Sequence, residues 1–437
     1  MTSSTSSSNA SAPASTRRTF LSQSASAAVA GAAALHTVVP LGVHAGGTET
    51  LRVGLVGCGG RGTGAAAQAL QADPHARLVA VGDAFEDRWT SALARLRETE
   101  GAAGKIDVTP DRCFTGFDAY RGVIEHSDVV LLATPPHFRP LQLRAAVEAG
   151  KHVFVEKPVA VDAPGVRSVL DSCELARQKN LSVVSGLCLR YSFGFQELMR
   201  RLHDGAIGEL RVLQANDFRG PIWVKPRESH WSDMEWQMRN WYYFTWLSGD
   251  FNVEQHVHFL DVCAWALNGR YPARAVGTGG RQVRTGPEYG HIYDHFSIIY
   301  EYEDGVRLFS HCRQQPGCRN DMSAHAFGSL GTALLSERKL AISGPHAWEH
   351  RGRDNNIYQT EHDELFRSIR QATPINNGDY MCRSTLLAIL GRMAAYTGQS
   401  ISWDEAFQSQ EDLTPPQYAW GPLATPAVAI PGVTKFT

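Results

Sequence analysis

Three ionisable side chains, Glu254, His258 and Asp261, are spaced by four and then three residues in an otherwise mostly apolar segment. This spacing predicts one face of a helix over residues 250–265, with the apolar residues turned to a core. Titratable groups gathered on one stripe are typical of a catalytic site, where an imidazole removes a hydroxyl proton near neutral pH. A hydrogen-bonded structural role stays open for each, above all for Asp261. His256, on the flank, is either a second substrate contact or a surface group.

A short apolar run at residues 51–56 is followed directly by a G-x-G-x-x-G motif at 57–62 and by the alanine-rich segment 65–70. Strand, glycine loop and helix in this order are the pattern of a dinucleotide-binding unit. The helix N-terminus would then face the phosphates.

Each residue of the loop has an expected task. Gly57 makes the tight turn, Gly59 lets the backbone approach the pyrophosphate, and Gly62 lets helix and strand pack closely. We assign Gly60 and Arg61, within the same loop, to the same binding site.

The second apolar run, residues 78–82, ends in Asp83, 21 residues beyond Gly62. This spacing suits a carboxylate that binds the ribose 2′-hydroxyl, and the same carboxylate would repel a 2′-phosphate. The predicted cofactor is therefore NAD, although Arg88 nearby leaves NADP open.

Further strands at 128–133, 152–155 and 181–185 alternate with helices at 139–149 and 162–179. This alternation predicts an α/β fold with a doubly wound parallel sheet. Ligands bind beyond the carboxyl ends of such strands. The residues that fall there are Thr134, Pro135, Glu156 and Lys157, and we assign them to the cofactor site.

Three segments together resemble one family: the glycine loop at 57–62, the A-T-P-P segment at 133–136 and the A-G-K-H-V-F-V-E-K-P segment at 149–158. The chain resembles the Gfo/Idh/MocA oxidoreductases (glucose-fructose oxidoreductase, inositol dehydrogenase and MocA) from about residue 51 to 403. The resemblance implies an N-terminal Rossmann domain and a C-terminal α/β domain. The large, open, mainly antiparallel sheet of that second domain covers the nicotinamide and often mediates homo-oligomers, here a dimer or tetramer.

The resemblance also implies roles for single residues. Lys157 corresponds to the active-site lysine, which hydrogen-bonds the reacting oxygen. The family's helix usually reads D-x-G-x-H-x-x-D with the histidine as acid/base, so His258 and Asp261 match. Glu254 stands at the first acidic position, where it can orient His258, and His256 replaces the glycine.

Candidate substrate contacts come from two further places. Arg190 and Tyr191 follow the last predicted Rossmann strand, where the family often has a basic and aromatic pair. Aromatic residues are frequent in segment 218–246, and rigid rings suit the apolar faces of sugars. Trp241 is therefore a further candidate substrate contact. A core or interface role for any single tryptophan stays open. The predicted substrate is a carbohydrate.

Length and composition favour two globular domains. The predicted divisions are a signal peptide (1–45), the Rossmann domain (49–186), the substrate and oligomerisation domain (187–408) and a proline-rich arm (409–437). A net charge of −2 does not favour nucleic acid or anionic lipid as partner. The eight cysteines show neither a C-x-x-C pair nor zinc spacing, so we expect buried thiols and no metal site.

Arg17 and Arg18 precede an alanine-rich run at 25–35 and small residues at 43–45, a pattern that resembles a twin-arginine signal peptide. A membrane anchor is the alternative, but the run is about half the roughly 20 residues that a bilayer span needs. The sequence therefore predicts a periplasmic or other extracytoplasmic protein without membrane contact after processing. Without a surrounding pool of dinucleotide, such an enzyme would have to hold its cofactor tightly.

Three functions fit these residues. The first is an NAD(P)-dependent oxidoreductase acting on a sugar, polyol or glycoside hydroxyl. The second is a redox-neutral NAD-dependent glycosidase or lyase that oxidises, eliminates, hydrates and re-reduces. The third, a non-catalytic sensor, is disfavoured because Lys157 and His258 are both present.

Overall fold

The first part of the chain alternates strands with helices around a parallel sheet. Its strands read as nearly continuous apolar runs, and β4 to β6 are buried along their whole length, as expected for a sheet covered on both faces. The elements are β1 Leu51–Val56, α1 Gly60–Ala72, β2 Ala76–Asp83, α2 Glu86–Glu98, β3 Cys113–Thr115, α3 Ala119–His126, β4 Val129–Leu132, α4 Arg139–Glu148, β5 His152–Val155, α5 Ala163–Gln178 and β6 Val183–Ser185.

All six strands are parallel and lie in the order β3-β2-β1-β4-β5-β6. The direction of winding reverses between β1 and β4, which opens a crevice beyond the carboxyl ends of these two strands. The predicted doubly wound Rossmann sheet is confirmed.

The second part of the chain builds a mixed sheet of nine strands, ordered β14-β13-β12-β11-β7-β10-β9-β8-β15. Only β7 and β10 pair in parallel, so the predicted large, mainly antiparallel sheet is confirmed as well. Its elements are α6 Phe193–His203, β7 Leu210–Arg219, α7 Asp233–Arg239, α8 Thr245–Ser248, α9 Phe251–Glu254, α10 Val257–Ala266, β8 Arg274–Gly280, β9 His295–Glu301, β10 Arg307–Gln314, β11 Asp321–Gly328, β12 Thr332–Ser336, β13 Lys339–Ser343, β14 Trp348–Glu349, α11 Ile357–Arg370, α12 Gly378–Thr397, β15 Ile401–Ser402 and α13 Trp403–Gln408.

One face of this sheet is covered by its own helices. Helices α10 and α12 pack on β7, β8, β9 and β11. Buried and half-buried residues alternate along β9 and β10, so the opposite face is less covered. The use of that open face in an oligomer stays a prediction.

Helix α11 returns from the second sheet to the first domain. It packs on α1, and Leu365, Phe366 and Ile369 join the core formed by α1, α2 and the parallel sheet. Residue Asn376 then forms an isolated bridge with Val183. The first domain is therefore completed by a segment almost 200 residues further along the chain.

The computed structural model describes residues 49–437, which belong to one compact unit. The predicted twin-arginine signal at 1–45 lies outside these described residues. Within them, no helix is long and apolar enough to cross a membrane. The C-terminal arm (residues 409–437) contains no helix or strand and packs on its own chain.

Candidate active site

The glycine loop has the shape that its sequence predicts. Gly57 has φ +91°, a left-handed conformation, and a Cβ there would lie 2.5 Å from the backbone of Ala133 and Thr134. A Cβ on Gly62 would lie 1.9 Å from the carbonyl oxygen of Gly57, so only glycine permits this approach of helix to strand. At Gly59, by contrast, a Cβ would meet no atom within 4 Å. Open space therefore lies where a pyrophosphate has to come close.

Helix α1 begins at Gly60, and its first turn contains no acidic residue. Its free N–H groups and its dipole favour an anion at this end. Asp83, at the end of β2, accepts hydrogen bonds from the N–H of Cys58 (2.7 Å) and of Phe85 (3.1 Å). Burial raises the pKa of the Asp83 carboxyl. The loop, the helix end and this carboxylate form a cradle that fits a dinucleotide.

A cavity of about 680 Å³ lies over this cradle, between the parallel sheet and the second domain. Every residue predicted to contact the dinucleotide lines it: Gly57, Gly59, Gly60, Arg61, Gly62, Asp83, Thr134, Pro135, Glu156 and Lys157. The three predicted catalytic residues line it too: Lys157, Glu254 and His258. Its size is within the range of ligand pockets.

Arg61 is held by protein groups around its guanidinium. Its Nε pairs with the Glu156 carboxylate, and its Nη2 lies 2.5 Å from Oε1 of Glu361 on α11. The guanidinium carbon also lies 5.0 Å from the ring centre of Tyr358. Arg61 therefore joins α1 to α11, while its backbone belongs to the glycine loop.

Lys157 follows β5 and reaches across the cavity to the second domain. Its Nζ donates to the backbone carbonyl of Glu254 (2.6 Å) and to the carboxylate Oε1 of the same residue (3.0 Å). Both side chains are about nine-tenths buried. Because an ammonium has three N–H donors, one remains for a substrate oxygen.

The prediction of one continuous helix over residues 250–265 is wrong, because the helix is interrupted at residues 255–256. Helix α9 ends at Glu254 and α10 begins at Val257. In a continuous helix the Glu254 carbonyl would accept the N–H of His258, but here it accepts Lys157, and His258 N lies 3.5 Å from the carbonyl of Gln255. The break therefore frees a backbone acceptor for the lysine.

Asp250 fixes the start of α9. It has φ +70°, which is costly for a residue with a side chain, and its carboxylate compensates by capping the helix at Phe251 N (2.5 Å). The other oxygen accepts from Tyr293 N (2.9 Å) and from the hydroxyl of Tyr396 (2.5 Å). Burial raises the pKa of Asp250 to about 6.

His258 presents a neutral imidazole to the cavity. Burial lowers its pKa well below 6.5, and the charges of Lys157 and Arg219 lower it further. Its Nδ1 is buried and has no hydrogen-bond partner within the described part of the chain. The remaining nitrogen, Nε2, is the one available to the cavity, where a neutral ring can accept a proton.

Of the predicted substrate contacts, one lines the cavity and four do not. Trp241 lines the cavity, next to the half-exposed ring of Trp223 at a centroid distance of 6.0 Å. The residues outside the lining are Arg190, Tyr191, His256 and Asp261.

Two of these four pair with each other. Arg190 makes a bidentate ion pair with Asp261, both N···O distances being 2.8 Å, and Asp261 also accepts from the hydroxyl of Ser384. Asp261 therefore does not line the cavity with Glu254 and His258, although it lies on the same helix, α10, as His258. It is a buried anchor for Arg190.

The other two residues, Tyr191 and His256, are buried outside the cavity lining. Tyr191 donates its hydroxyl to Asn377 Oδ1 (2.9 Å). His256 is fully buried; its Nε2 lies 2.8 Å from the Ser310 hydroxyl and its Nδ1 4.0 Å from the carboxylate of Asp217. Burial lowers the pKa of His256 to about 3. Neither residue reaches the cavity in this conformation.

Several lining residues were not predicted from sequence. They include Arg139, Lys225, Gln255 and Tyr358. Tyr358 lies on α11, some 300 residues from the glycine loop, and no local pattern connects the two. Gln255 stands inside the helical break, which the periodicity did not reveal.

Metal-ligand clusters and disulfides are both absent from the described residues. Residues 49–437 contain no group of three or more His, Cys, Asp or Glu placed to hold a metal ion. All eight cysteines are free, and most are buried. Cys312 is buried while Cys318 is exposed, and the two are not bonded.

The open space at Gly59 supports a first prediction. Replacing Gly59 with valine should weaken NAD binding by at least tenfold, because the side chain fills the space needed by the pyrophosphate. The melting temperature of the cofactor-free protein should change little, since no atom is displaced. Isothermal titration and thermal melts measure the two quantities. Gly104→Val, at another open glycine outside the cavity, is the matched control; equal NAD affinity in both variants would contradict the prediction.

Comparison with known proteins agrees with this architecture. Residues 51–186 match the model of the oxidoreductase family with an NAD-binding Rossmann fold, and residues 195–334 match the GFO/IDH/MocA C-terminal domain. The chain is 25% identical over 339 residues to inositol 2-dehydrogenase/D-chiro-inositol 3-dehydrogenase of Halalkalibacterium halodurans, covering 74% of this chain and 84% of that protein.

Solved structures share the fold. The aldose-aldose oxidoreductase of Caulobacter crescentus superposes with a TM-score of 0.63 at 17% identity, over 81% of this chain and 100% of that one. The 3-ketoreductase KijD10 of Actinomadura kijaniata, in complex with NADP, gives 0.62 at 18% identity, over 79% and 98%. The chain has a Rossmann domain with a glycine cradle and a second domain with a large mixed sheet, and it matches both family models. It therefore belongs to the Gfo/Idh/MocA family of oxidoreductases.

Proposed function

We propose that this protein is an NAD-dependent oxidoreductase that oxidises a CH–OH group of a sugar or polyol. One observation carries the proposal. Lys157, Glu254 and His258 line the same cavity as the glycine loop, so a proton acceptor and a cationic hydrogen-bond donor lie in the same cavity as the dinucleotide cradle.

The residues divide the work of oxidation between them. The neutral imidazole of His258 accepts the proton of the substrate hydroxyl. Lys157 donates a hydrogen bond to the same oxygen and stabilises the negative charge that develops on it. Glu254 holds the Lys157 ammonium in place through its carbonyl and its carboxylate. A bound nicotinamide supplies the acceptor for the hydride that leaves the carbon, so CH–OH becomes C=O.

The substrate class follows from the cavity and from one relative. Trp241 and the half-exposed Trp223 line the cavity, and flat aromatic rings suit the C–H faces of sugars and cyclitols. The similar protein from Halalkalibacterium halodurans is named an inositol dehydrogenase. A cyclic polyol or a sugar is therefore the substrate that we expect.

The proposal extends to NAD and to export. The carboxylate of Asp83 lies at the cavity wall and would repel a 2′-phosphate, whereas Arg88 on the same wall would attract one; we favour NAD on the position of Asp83. The twin-arginine pattern around Arg17 and Arg18 favours export of the folded enzyme to the periplasm. An exported enzyme would retain its dinucleotide and regenerate it within each cycle.

A second candidate is a redox-neutral glycosidase or lyase. It is favoured by the presence of two bases on the cavity wall, Glu254 and His258, because elimination after oxidation needs a second base to remove the acidified C–H proton. Loss of that proton breaks the C–O bond to the aglycone, which leaves as its alcohol and gives an unsaturated ketone. Water then adds to the C=C bond, and the hydride returns to the carbonyl carbon. This reaction leaves the redox state of the cofactor unchanged.

One experiment separates the candidates. The purified folded protein is denatured and any released dinucleotide is identified by mass. The intact protein is then incubated with free sugars, inositols and aryl glycosides, with and without added NAD. Lasting absorbance at the NADH band with a polyol or sugar supports the oxidoreductase. Aglycone release without added cofactor supports the second candidate. Failure to bind NAD or NADP in any preparation would overturn both.

A further inference from the structure

The C-terminal arm (residues 409–437) crosses from one domain to the other beside the cavity. Near its start the N–H of Leu413 donates to Asp162, the N-cap residue of α5 in the Rossmann domain (3.0 Å). Further on, the carbonyl of Leu423 accepts the side-chain amide of Gln237 on α7 (2.8 Å), and its N–H donates to Asp233 (3.1 Å). The first half of the arm is thus attached to both domains.

Two aromatic side chains lie between these attachments. The ring of Trp420 lies 5.2 Å from Phe85 and 4.6 Å from Phe117, and the ring of Tyr418 lies 5.6 Å from Phe138. All three phenylalanines line the cavity. Trp420 and Tyr418 themselves are not lining residues, so they support the wall from outside.

The position of these rings identifies the end of the cavity. Phe85 comes two residues after Asp83 at the end of β2, and Phe117 comes two residues after β3. Strands β2 and β3 lie on one side of β1, while β5, which carries Lys157 at its end, lies on the other. A dinucleotide bound over the glycine loop would place its adenosine toward Asp83, Phe85 and Phe117, and its nicotinamide toward Lys157.

Helix α7 completes the cover over this end. Arg239 forms an ion pair with Asp87 of α2, at 3.0 Å, and its guanidinium lies 3.9 Å from the ring centre of Phe85. The same helix carries Gln237, which hydrogen-bonds the arm. Movement of the adenosine end out of the cavity would therefore disturb α7, the arm, or both.

We propose that the C-terminal arm is part of the dinucleotide site: Trp420 and Tyr418, together with α7, close its adenosine end and slow the release of the cofactor. This inference rests on the dinucleotide binding of the proposed function and goes beyond the reaction assigned there. It gives the chain a physical means of retaining a cofactor, which an exported enzyme requires.

The rate of NADH release tests the inference. Protein loaded with NADH is mixed with excess NAD, and the decay of bound NADH fluorescence gives the rate constant. Trp420→Ala should release NADH about tenfold faster than wild type, and the double variant with Tyr418→Ala faster still, because aromatic contacts are lost at the wall. Val433→Ala, an exposed change in the same arm, should stay within twofold of wild type.

A second measurement separates retention from mere stability. Amide hydrogen exchange over residues 414–424 should slow when NADH is bound to the wild-type protein, because the closed arm is coupled to the ligand. If Trp420→Ala fails to fold, Trp420→Phe takes its place with a smaller acceleration of release. Unchanged release in folded variants, or unchanged exchange on NADH binding, would overturn the role of the arm and leave the proposed function intact. Absence of any NADH binding by wild type would overturn both.

Discussion

Replacement of Lys157 by methionine should lower kcat/KM for the oxidised polyol or sugar by about 10³-fold, as expected for loss of one preorganised donor to a developing oxyanion. Methionine keeps the length of the side chain but removes the charge and the donors. The effect should fall mainly on kcat, because the interaction strengthens as the hydroxyl loses its proton. Initial rates of NADH formation measure the change.

The control for this variant is Lys339→Met. Lys339 also faces a carboxylate, with its Nζ 3.6 Å from Glu349, but it lies on β13 in the second domain. We expect the kinetic parameters of Lys339→Met to equal those of wild type. NAD affinity of Lys157→Met is measured separately, because Lys157 also lines the dinucleotide site. If instead kcat/KM stays within fivefold of wild type while the protein is folded, Lys157 is not the group that meets the reacting oxygen.

Replacement of His258 by glutamine should lower kcat by about 10²- to 10⁴-fold, the range for loss of a positioned general base. Glutamine preserves hydrogen bonding and approximate volume but cannot accept the proton at neutral pH. The control is His230→Gln, an exposed histidine paired with Glu228, which should retain wild-type rates. If the rate of His258→Gln stays close to that of wild type, another group accepts the proton. Glu254, which also lines the cavity, is then the next candidate.

The pH dependence of kcat/KM is a second test of His258 as the base. A base is active when unprotonated, so a lower pKa keeps it active at lower pH. Because burial, Lys157 and Arg219 all lower the pKa of His258 below 6.5, the acid limb of kcat/KM should lie below pH 6.5. Rates measured from pH 4 to 8 locate the limb. A limb at or above pH 6.5 would contradict a buried neutral imidazole.

Much of the cofactor side was predictable because its signals are local. The glycine loop needs particular backbone conformations and approaches, such as the positive φ of Gly57 and the missing Cβ of Gly62, and only glycine provides them. Strand ends follow from apolar runs, and ligands gather beyond such ends. Asp83 and Lys157 could therefore be placed at the cavity without knowledge of long-range contacts.

The substrate side was less predictable because its residues are arranged by contacts between distant segments. Helical periodicity placed Asp261 with His258, but the ion pair with Arg190 and the hydrogen bond from Ser384 hold Asp261 elsewhere. The break after Glu254 leaves free a carbonyl that a continuous helix would use, and Lys157, almost 100 residues earlier in the chain, donates to it. No pattern within residues 250–265 contains that information.

By itself, then, the sequence determined the doubly wound dinucleotide domain and the family, and it predicted the lysine and the histidine that line the cavity. These features depend on glycine conformations, apolar periodicity and short motifs, which act between near neighbours. Only the tertiary structure decided which carboxylate accepts from Lys157, that α11 returns to complete the first domain, and that the arm attaches to α7 beside the cavity. Those outcomes depend on side chains brought together across 100 to 300 residues, where packing rather than local spacing selects the partners.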